Sequence, residues 1–238
     1  MKAGILAAGD GSRLQRISPF KPLVKVGDKA LFERAIAYLS PANPEKIFVI
    51  FNDKERDMDF SQLPSLQSVQ VSHFFKSTLS SMHSLYEVMK KAEMTQGEHL
   101  FVMMVDSIIR PEDFALYMDH CKKLPASQSS VLITNFVEDE KPLTVRRHED
   151  GTVEAFQVPA ADGVPITSGV YCFSADIVPL LEDCVARHEK KMRNFLKSLV
   201  AQGHVINTFL VDKTLDVDRP EDIESAEEFL RIGAKNDG

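Results

Sequence analysis

The residues with the clearest chemical potential stand near the start of the chain, in Leu6-Ala7-Ala8-Gly9-Asp10-Gly11-Ser12-Arg13, with Lys21 further on. Small residues let backbone N–H groups approach a ligand closely, and a loop of such groups forms a concave anion site. Arg13 and Lys21 would neutralise the charge of a polyphosphate held there. An ordinary strand-to-helix turn with solvated cations has the same composition, so the loop alone leaves both readings open. Two familiar phosphate loops are excluded. No Gly-Lys-Ser or Gly-Lys-Thr occurs, as a Walker A loop would need, and Leu14 stands where the dinucleotide fingerprint needs its third glycine.

Three aspartates form the second candidate set. Asp106 directly follows the apolar run from His99 to Val105, and Asp216 and Asp218 alternate in Leu215-Asp216-Val217-Asp218-Arg219-Pro220. Two residues apart in an extended segment, Asp216 and Asp218 point the same way and could face one ion. Mg2+ is commonly held by one or two carboxylates together with phosphate oxygens and water. The competing reading makes Asp106 a turn residue before Pro111 and Asp218 the cap of a helix opening at Pro220. Further on, Thr78, Ser80 and Ser81 cluster before a helical pattern, where Thr78 or Ser80 would cap it. Gly169 interrupts the strand-like Ile166-Thr167-Ser168-Gly169-Val170-Tyr171, where a ligand could approach the backbone.

The elements that must position these residues follow from hydrophobic period. Buried strands are expected over Ala3–Ala8, Lys46–Phe51, His99–Val105, Ser129–Phe136, Ile166–Phe173 and His204–Val211, with an alternating strand over Val69–Phe75. Helices are expected over Ala30–Leu39, Ser81–Ala92, Pro111–Lys123, Ala175–Arg187, Lys191–Gln202 and Pro220–Ile232. Two short strands around Glu149-Asp150-Gly151 read as a hairpin, and the tail after Ile232 as frayed. Strands alternating with helices imply a parallel sheet with helices on both faces, and ligands then lie at the carboxyl ends of its strands.

The 238 residues, 44% of them hydrophobic, suffice for one sizeable core. A net charge of −7 argues against nucleic acid as a main partner, because backbone binding needs a basic face. An acidic protein that handles nucleotides must instead concentrate its cations locally or recruit a metal. Cys121, Cys172 and Cys184 lack any Cys-x-x-Cys spacing and read as packing thiols of a cytoplasmic protein. No stretch approaches a membrane span or a signal-peptide core, so no membrane association is expected.

The segment Leu6–Leu14, followed by Lys21-Pro22-Leu23, resembles the signature of the nucleoside triphosphate transferases. That family includes sugar-phosphate nucleotidyltransferases and alcohol-phosphate cytidylyltransferases. The resemblance implies that Leu6, Ala8 and the loop Gly9, Asp10, Gly11 and Ser12 hold a nucleotide, while Arg13 and Lys21 act on its pyrophosphate side. It also implies that Asp106, with Asp216 or Asp218, binds Mg2+. The run Thr78–Leu85 resembles the family's Asn-Thr-x-Ser-x-x-Ser-Leu segment, which contacts base and ribose; Thr78, Ser80 and Ser81 fall in it, but Ser77 or Lys76 replaces the leading asparagine. Thr167 and Gly169 fall in the family's small-Gly-Val-Tyr strand facing the acceptor. Where family members often carry a sugar-phosphate-binding lysine, this chain reads Phe156-Gln157-Val158-Pro159, which disfavours a hexose-1-phosphate enzyme.

The expectation is an α/β fold, with a Rossmann-like, mostly parallel central sheet, helices on both faces and a small β-hairpin lobe, in one nucleotidyltransferase domain over residues 1–238. The expected reaction is Mg2+-dependent transfer of a nucleoside monophosphate from a nucleoside triphosphate, with CTP favoured. The acceptor would be a small phosphorylated alcohol, amino alcohol or phosphonate, and pyrophosphate would leave. The alternatives are a hexose-1-phosphate uridylyl-, guanylyl- or thymidylyltransferase, a molybdopterin guanylyl transfer, and a non-catalytic nucleotide-binding module. The oligomeric state stays open, a homo-oligomer included.

Overall fold

The computed structural model describes residues 1–57, 71–137 and 141–233. In chain order the strands are β1 (Lys2–Ala7), β2 (Lys25–Val26), β3 (Lys29–Ala30), β4 (Ile47–Phe51), β5 (Val71–Phe75), β6 (His99–Met104), β7 (Ser107–Ile108), β8 (Ser129–Thr134), β9 (Val145–Arg147), β10 (Val153–Phe156), β11 (Ile166–Ser174), β12 (Ile206–Val211) and β13 (Leu215–Asp216). The helices are α1 (Leu31–Leu39), α2 (Ser81–Lys91), α3 (Pro111–Cys121), α4 (Val178–Ala186), α5 (Met192–Ala201) and α6 (Pro220–Gly233). The start of the strand expected from Val69 and the tail beyond Gly233 lie outside the described residues.

Seven strands form the central sheet in the order β12-β8-β11-β6-β1-β4-β5. All its neighbours pair in parallel except β11, which runs antiparallel to both β6 and β8. The two-residue side-chain period divides the core into two layers. Ala3, Ile5, Phe101 and Met103 face one layer, filled by α1, α3 and α6 through residues such as Leu31, Phe114, Tyr117 and Phe229. Leu6, Leu100, Val102 and Tyr171 face the other, filled by α2, α4 and α5 through Leu85, Leu181, Phe195 and Leu199. Burying each of these large side chains stabilises the fold by about 1.5–3 kcal/mol, which fixes strand register. The three cysteines are buried and free.

The hairpin β9–β10 pairs Val145 with Phe156 and Arg147 with Val153, and docks on β12 through Thr208 N–H donating to the Gly151 carbonyl (3.0 Å). Three irregular features shape the site. β11 is bulged between Thr167 and Tyr171. The short pair β7–β13 matches Asp216 with Ser107. The strand order reverses about β1, because β4 and β5 extend one way and β6 the other, which opens a crevice where ligands of open α/β sheets bind. Among the described residues, no helix is long and apolar enough to cross a membrane.

Candidate active site

Adjacent strands β1, β4 and β5 each release a loop at the same sheet edge, and these loops wall a cleft of about 680 Å3. Its lining includes Leu6, Ala8, Gly9, Asp10, Thr78, Ser80 and Ser81, with Met104 from the end of β6. Asn52 stitches the three loops together. Its Nδ2 donates to the Ala8 carbonyl (3.1 Å), while its Oδ1 accepts from Lys54 N–H (3.2 Å) and Ser77 Oγ (3.1 Å). A primary amide suits this junction because it donates and accepts from one rigid plane. Asp53 accepts from Ser77 N–H (2.8 Å), and that bond and Arg56 hold its carboxyl below the usual range. Lys54 pairs with Asp10 across the outer rim. Behind the wall, the buried Glu55 accepts from Asn52 N–H (2.9 Å), and burial pushes its pKa up to about 7.

Charge converges at Lys21. Pro22 sits in the tight turn Lys21–Leu23, and Leu14, fully buried, anchors the preceding loop. Gly11 has φ +57°, and a Cβ there would lie 2.7 Å from Lys21 Cβ, so only glycine lets the loop close over the lysine stem. Lys21 is 9% exposed, and its ammonium lies 2.5 Å from both Asp106 Oδ2 and Asp218 Oδ1. Burial pulls its pKa down, but the two carboxylates outweigh burial and hold it above the ordinary lysine value. β7–β13 pairing, with Val217 N–H donating to the Asp106 carbonyl (3.0 Å), brings the aspartate segments side by side. Asp216, exposed at the surface, accepts from Ser107 Oγ (3.2 Å).

A second cleft, of about 380 Å3, includes two of these aspartates in its wall. It is lined by Arg13, Lys141, Arg193 and Arg219, by Thr167, and by Asp216 and Asp218. Arg193, on the first turn of α5, is oriented by donating to the Lys141 carbonyl (2.9 Å). An otherwise acidic chain thus gathers four cations and three carboxylates, Asp222 being the third, around one cavity, a setting for an anionic ligand and its counter-cation.

The profile of the MobA-like NTP transferase domain matches residues 3–204. The chain belongs to this family. It is by that membership a nucleotidyltransferase. The bifunctional protein GlmU of Buchnera aphidicola subsp. Schizaphis graminum is 41% identical over 54 residues, 23% of this chain and only 12% of that protein. In fold, the chain is similar to a UDP-glucose pyrophosphorylase complexed with UDP-glucose (TM-score 0.77, 18% identity, covering 97% of this chain and 98% of that one). It is also similar to the inositol-1-phosphate CTP transferase from T. maritima (TM-score 0.79, 16% identity, covering 98% and 95%).

Several residues of this nucleotidyltransferase stand differently from the sequence expectation. Gly11 and Ser12 are not in the first cleft lining, and Arg13 lines the second cleft rather than the first. Gly169 has φ +75°, and a Cβ there would lie 2.7 Å from Ser107 Oγ, so its lack of a side chain lets β11 pack closely against Ser107. Ser80 occupies the N-cap of α2 without a side-chain cap bond, and its Oγ meets His83 Nδ1 (3.0 Å) instead. Thr78 pairs with Ser84 Oγ (2.7 Å). Asp218 is not the cap of α6, since Asp222 accepts the N–H groups of Asp218 (2.8 Å) and Arg219 (2.7 Å). Asn52, Lys141, Arg193 and Arg219 escaped the sequence reading. Only Asn52, a polar residue ending an apolar strand, carries a local signal.

Proposed function

We propose that the protein is a Mg2+-dependent nucleotidyltransferase that joins a nucleoside monophosphate, from CTP by preference, to a small phosphorylated alcohol, amino alcohol or phosphonate. The observation that carries this reading is the Lys21–Asp106–Asp218 cluster, whose Asp218 lines the second cleft and whose Asp106 follows Met104 of the first. The first cleft, with backbone and hydroxyl groups at strand ends, would take the nucleotide. The second, with its cationic lining, would take the acceptor phosphate. We assign the whole described chain to one domain acting in the cytoplasm on these two small molecules.

The acceptor oxygen attacks the α-phosphorus and pyrophosphate leaves. A phosphomonoester is already largely dianionic near neutral pH, with its second pKa about 6, so no catalytic base is required of the chain. Catalysis is then positioning and charge neutralisation. Asp106 and Asp218 offer the hard oxygen donors that suit Mg2+, with Asp216 beside them. Among the described residues no three-ligand His, Cys, Asp or Glu group is assembled, so phosphate oxygens and water would complete the coordination. When bound, the ion would neutralise charge on the phosphates. Lys21 would deliver its ammonium to the phosphoryl oxygens. Arg13, in the second cleft, would hold the acceptor phosphate together with Arg193. Cations from α5 and the Lys141 segment would thereby replace the lysine missing at Gln157, which is outside the cleft lining.

The test is pyrophosphate release with Mg2+, with CTP, UTP, GTP, ATP and dTTP each offered a pool of alcohol, amino-alcohol and sugar phosphates. Release that needs CTP and a non-sugar acceptor is the expected result. Release with a hexose 1-phosphate instead would overturn the acceptor assignment. Nucleotide binding without release on any pool would support the non-catalytic alternative.

A further inference from the structure

Lys21 holds a position that a metal-binding pair of carboxylates would ordinarily offer to the ion. Its ammonium is within 2.5 Å of one oxygen of Asp106 and one of Asp218, and the side chain is almost fully covered. Three independent constraints keep it there. The Lys21–Leu23 turn fixes its backbone, Gly11 closes over its stem, and β7–β13 sets the two aspartate segments around its tip. Mg2+ binds oxygens at about 2.0–2.1 Å and accepts little distortion. A divalent ion at those oxygens would face an ammonium at hydrogen-bond distance in a partly buried, weakly screened setting, where like charges repel strongly. The two cations therefore compete for these carboxylates.

Resting on the assignment of Asp106 and Asp218 as the Mg2+ carboxylates, we propose that Lys21 is a tethered counter-cation that the metal must displace. Lysine suits such a role because its compact charge sits on a flexible four-carbon stem that can swing while the backbone stays fixed. The ammonium leaves the aspartates when phosphate oxygens offer it a new partner, and the vacated carboxylate oxygens then accept the ion. Metal and nucleotide therefore bind with positive coupling, each strengthening the other by the same factor. The metal alone binds weakly, which keeps the carboxylates from being loaded before the nucleotide arrives.

The experiment is Mn2+ binding followed by paramagnetic resonance of the free ion, with no nucleotide or acceptor added. Lys21→Met keeps the stem and removes the charge. It is expected to bind Mn2+ about tenfold more tightly than the wild type, with Asp106→Asn in the same background losing that gain. Equal or weaker binding by Lys21→Met overturns the proposal. Should that variant fail to fold, the side-chain ammonium resonance of Lys21 in the wild type decides. Mg2+ alone should barely move it, whereas Mg2+ with a non-hydrolysable nucleoside triphosphate should move it away from its aspartate-bound position. An unmoved resonance under that mixture overturns the proposal. Neither metal-binding arm depends on turnover. Transfer could therefore be absent while Lys21→Met still tightens Mn2+ binding, and transfer could proceed with no such gain.

Discussion

The two clefts are built from different forces. The first is organised by neutral hydrogen bonds through Asn52, Ser77, Thr78 and Ser84, and its nearby charges are paired, Lys54 with Asp10 and Arg56 with Asp53. The second sets Arg13, Lys141, Arg193 and Arg219 against Asp216, Asp218 and Asp222. On the proposed reading, a ligand in the first cleft would be recognised by shape and donor placement, and one in the second by charge.

Substitutions that act differently on the two sides sharpen this contrast. The largest effect is expected from Asp106→Asn, which removes one of the two carboxylates paired with Lys21. Turnover should fall by about 10³-fold or more while circular dichroism stays native, and retained activity would contradict its role. Lys21→Ala should cut kcat by about 10²-fold; a change confined to KM would move the lysine's contribution to ground-state binding.

The first wall hides one titratable group, Glu55, so pH separates it from the charged side. With its folded pKa raised to about 7 from an ordinary 4.5, the folded state holds the Glu55 proton that the unfolded chain releases. Its contribution to stability is therefore full below pH 4.5, falls as pH rises towards 7, and levels off above it, a loss of about 2–3 kcal/mol. Urea denaturation at pH 5 and 7.5 should record this, and Glu55→Gln should flatten the slope. The smallest effect is expected from Asn52→Asp, which keeps the acceptor but sets an oxygen against the Ala8 carbonyl. It should raise KM for the nucleotide about tenfold and leave KM for the acceptor unchanged. Equal effects on both would erase the distinction between the clefts.

Much of the framework was legible in the chain because it depends on local period. Apolar runs such as Ile47–Phe51 and His99–Met104 are short, continuous and bounded by polar or turn residues, so they became strands within a residue or two of expectation. Helices with one apolar stripe, such as α2 and α5, were equally clear. The glycine loop, Lys21 and the three aspartates were marked by residue type and by family resemblance. The antiparallel course of β11 was not legible, since an apolar strand has the same composition in either direction. Nor was the true use of Gly169, because a glycine signals close approach without saying what approaches.

The sequence by itself determined which segments are strands and helices, where the phosphate-suited loop lies, and which carboxylates could serve a metal. Only the tertiary structure decided that Lys21 reaches Asp106, 85 residues away, and Asp218, 197 residues away. It alone carried Arg13 to the second cleft and brought Arg193 and Lys141 beside it. Hydrophobic period is written in neighbouring residues, whereas the meeting of distant charges depends on strand order, on the β7–β13 pairing and on the space each glycine leaves, none of which a local pattern records.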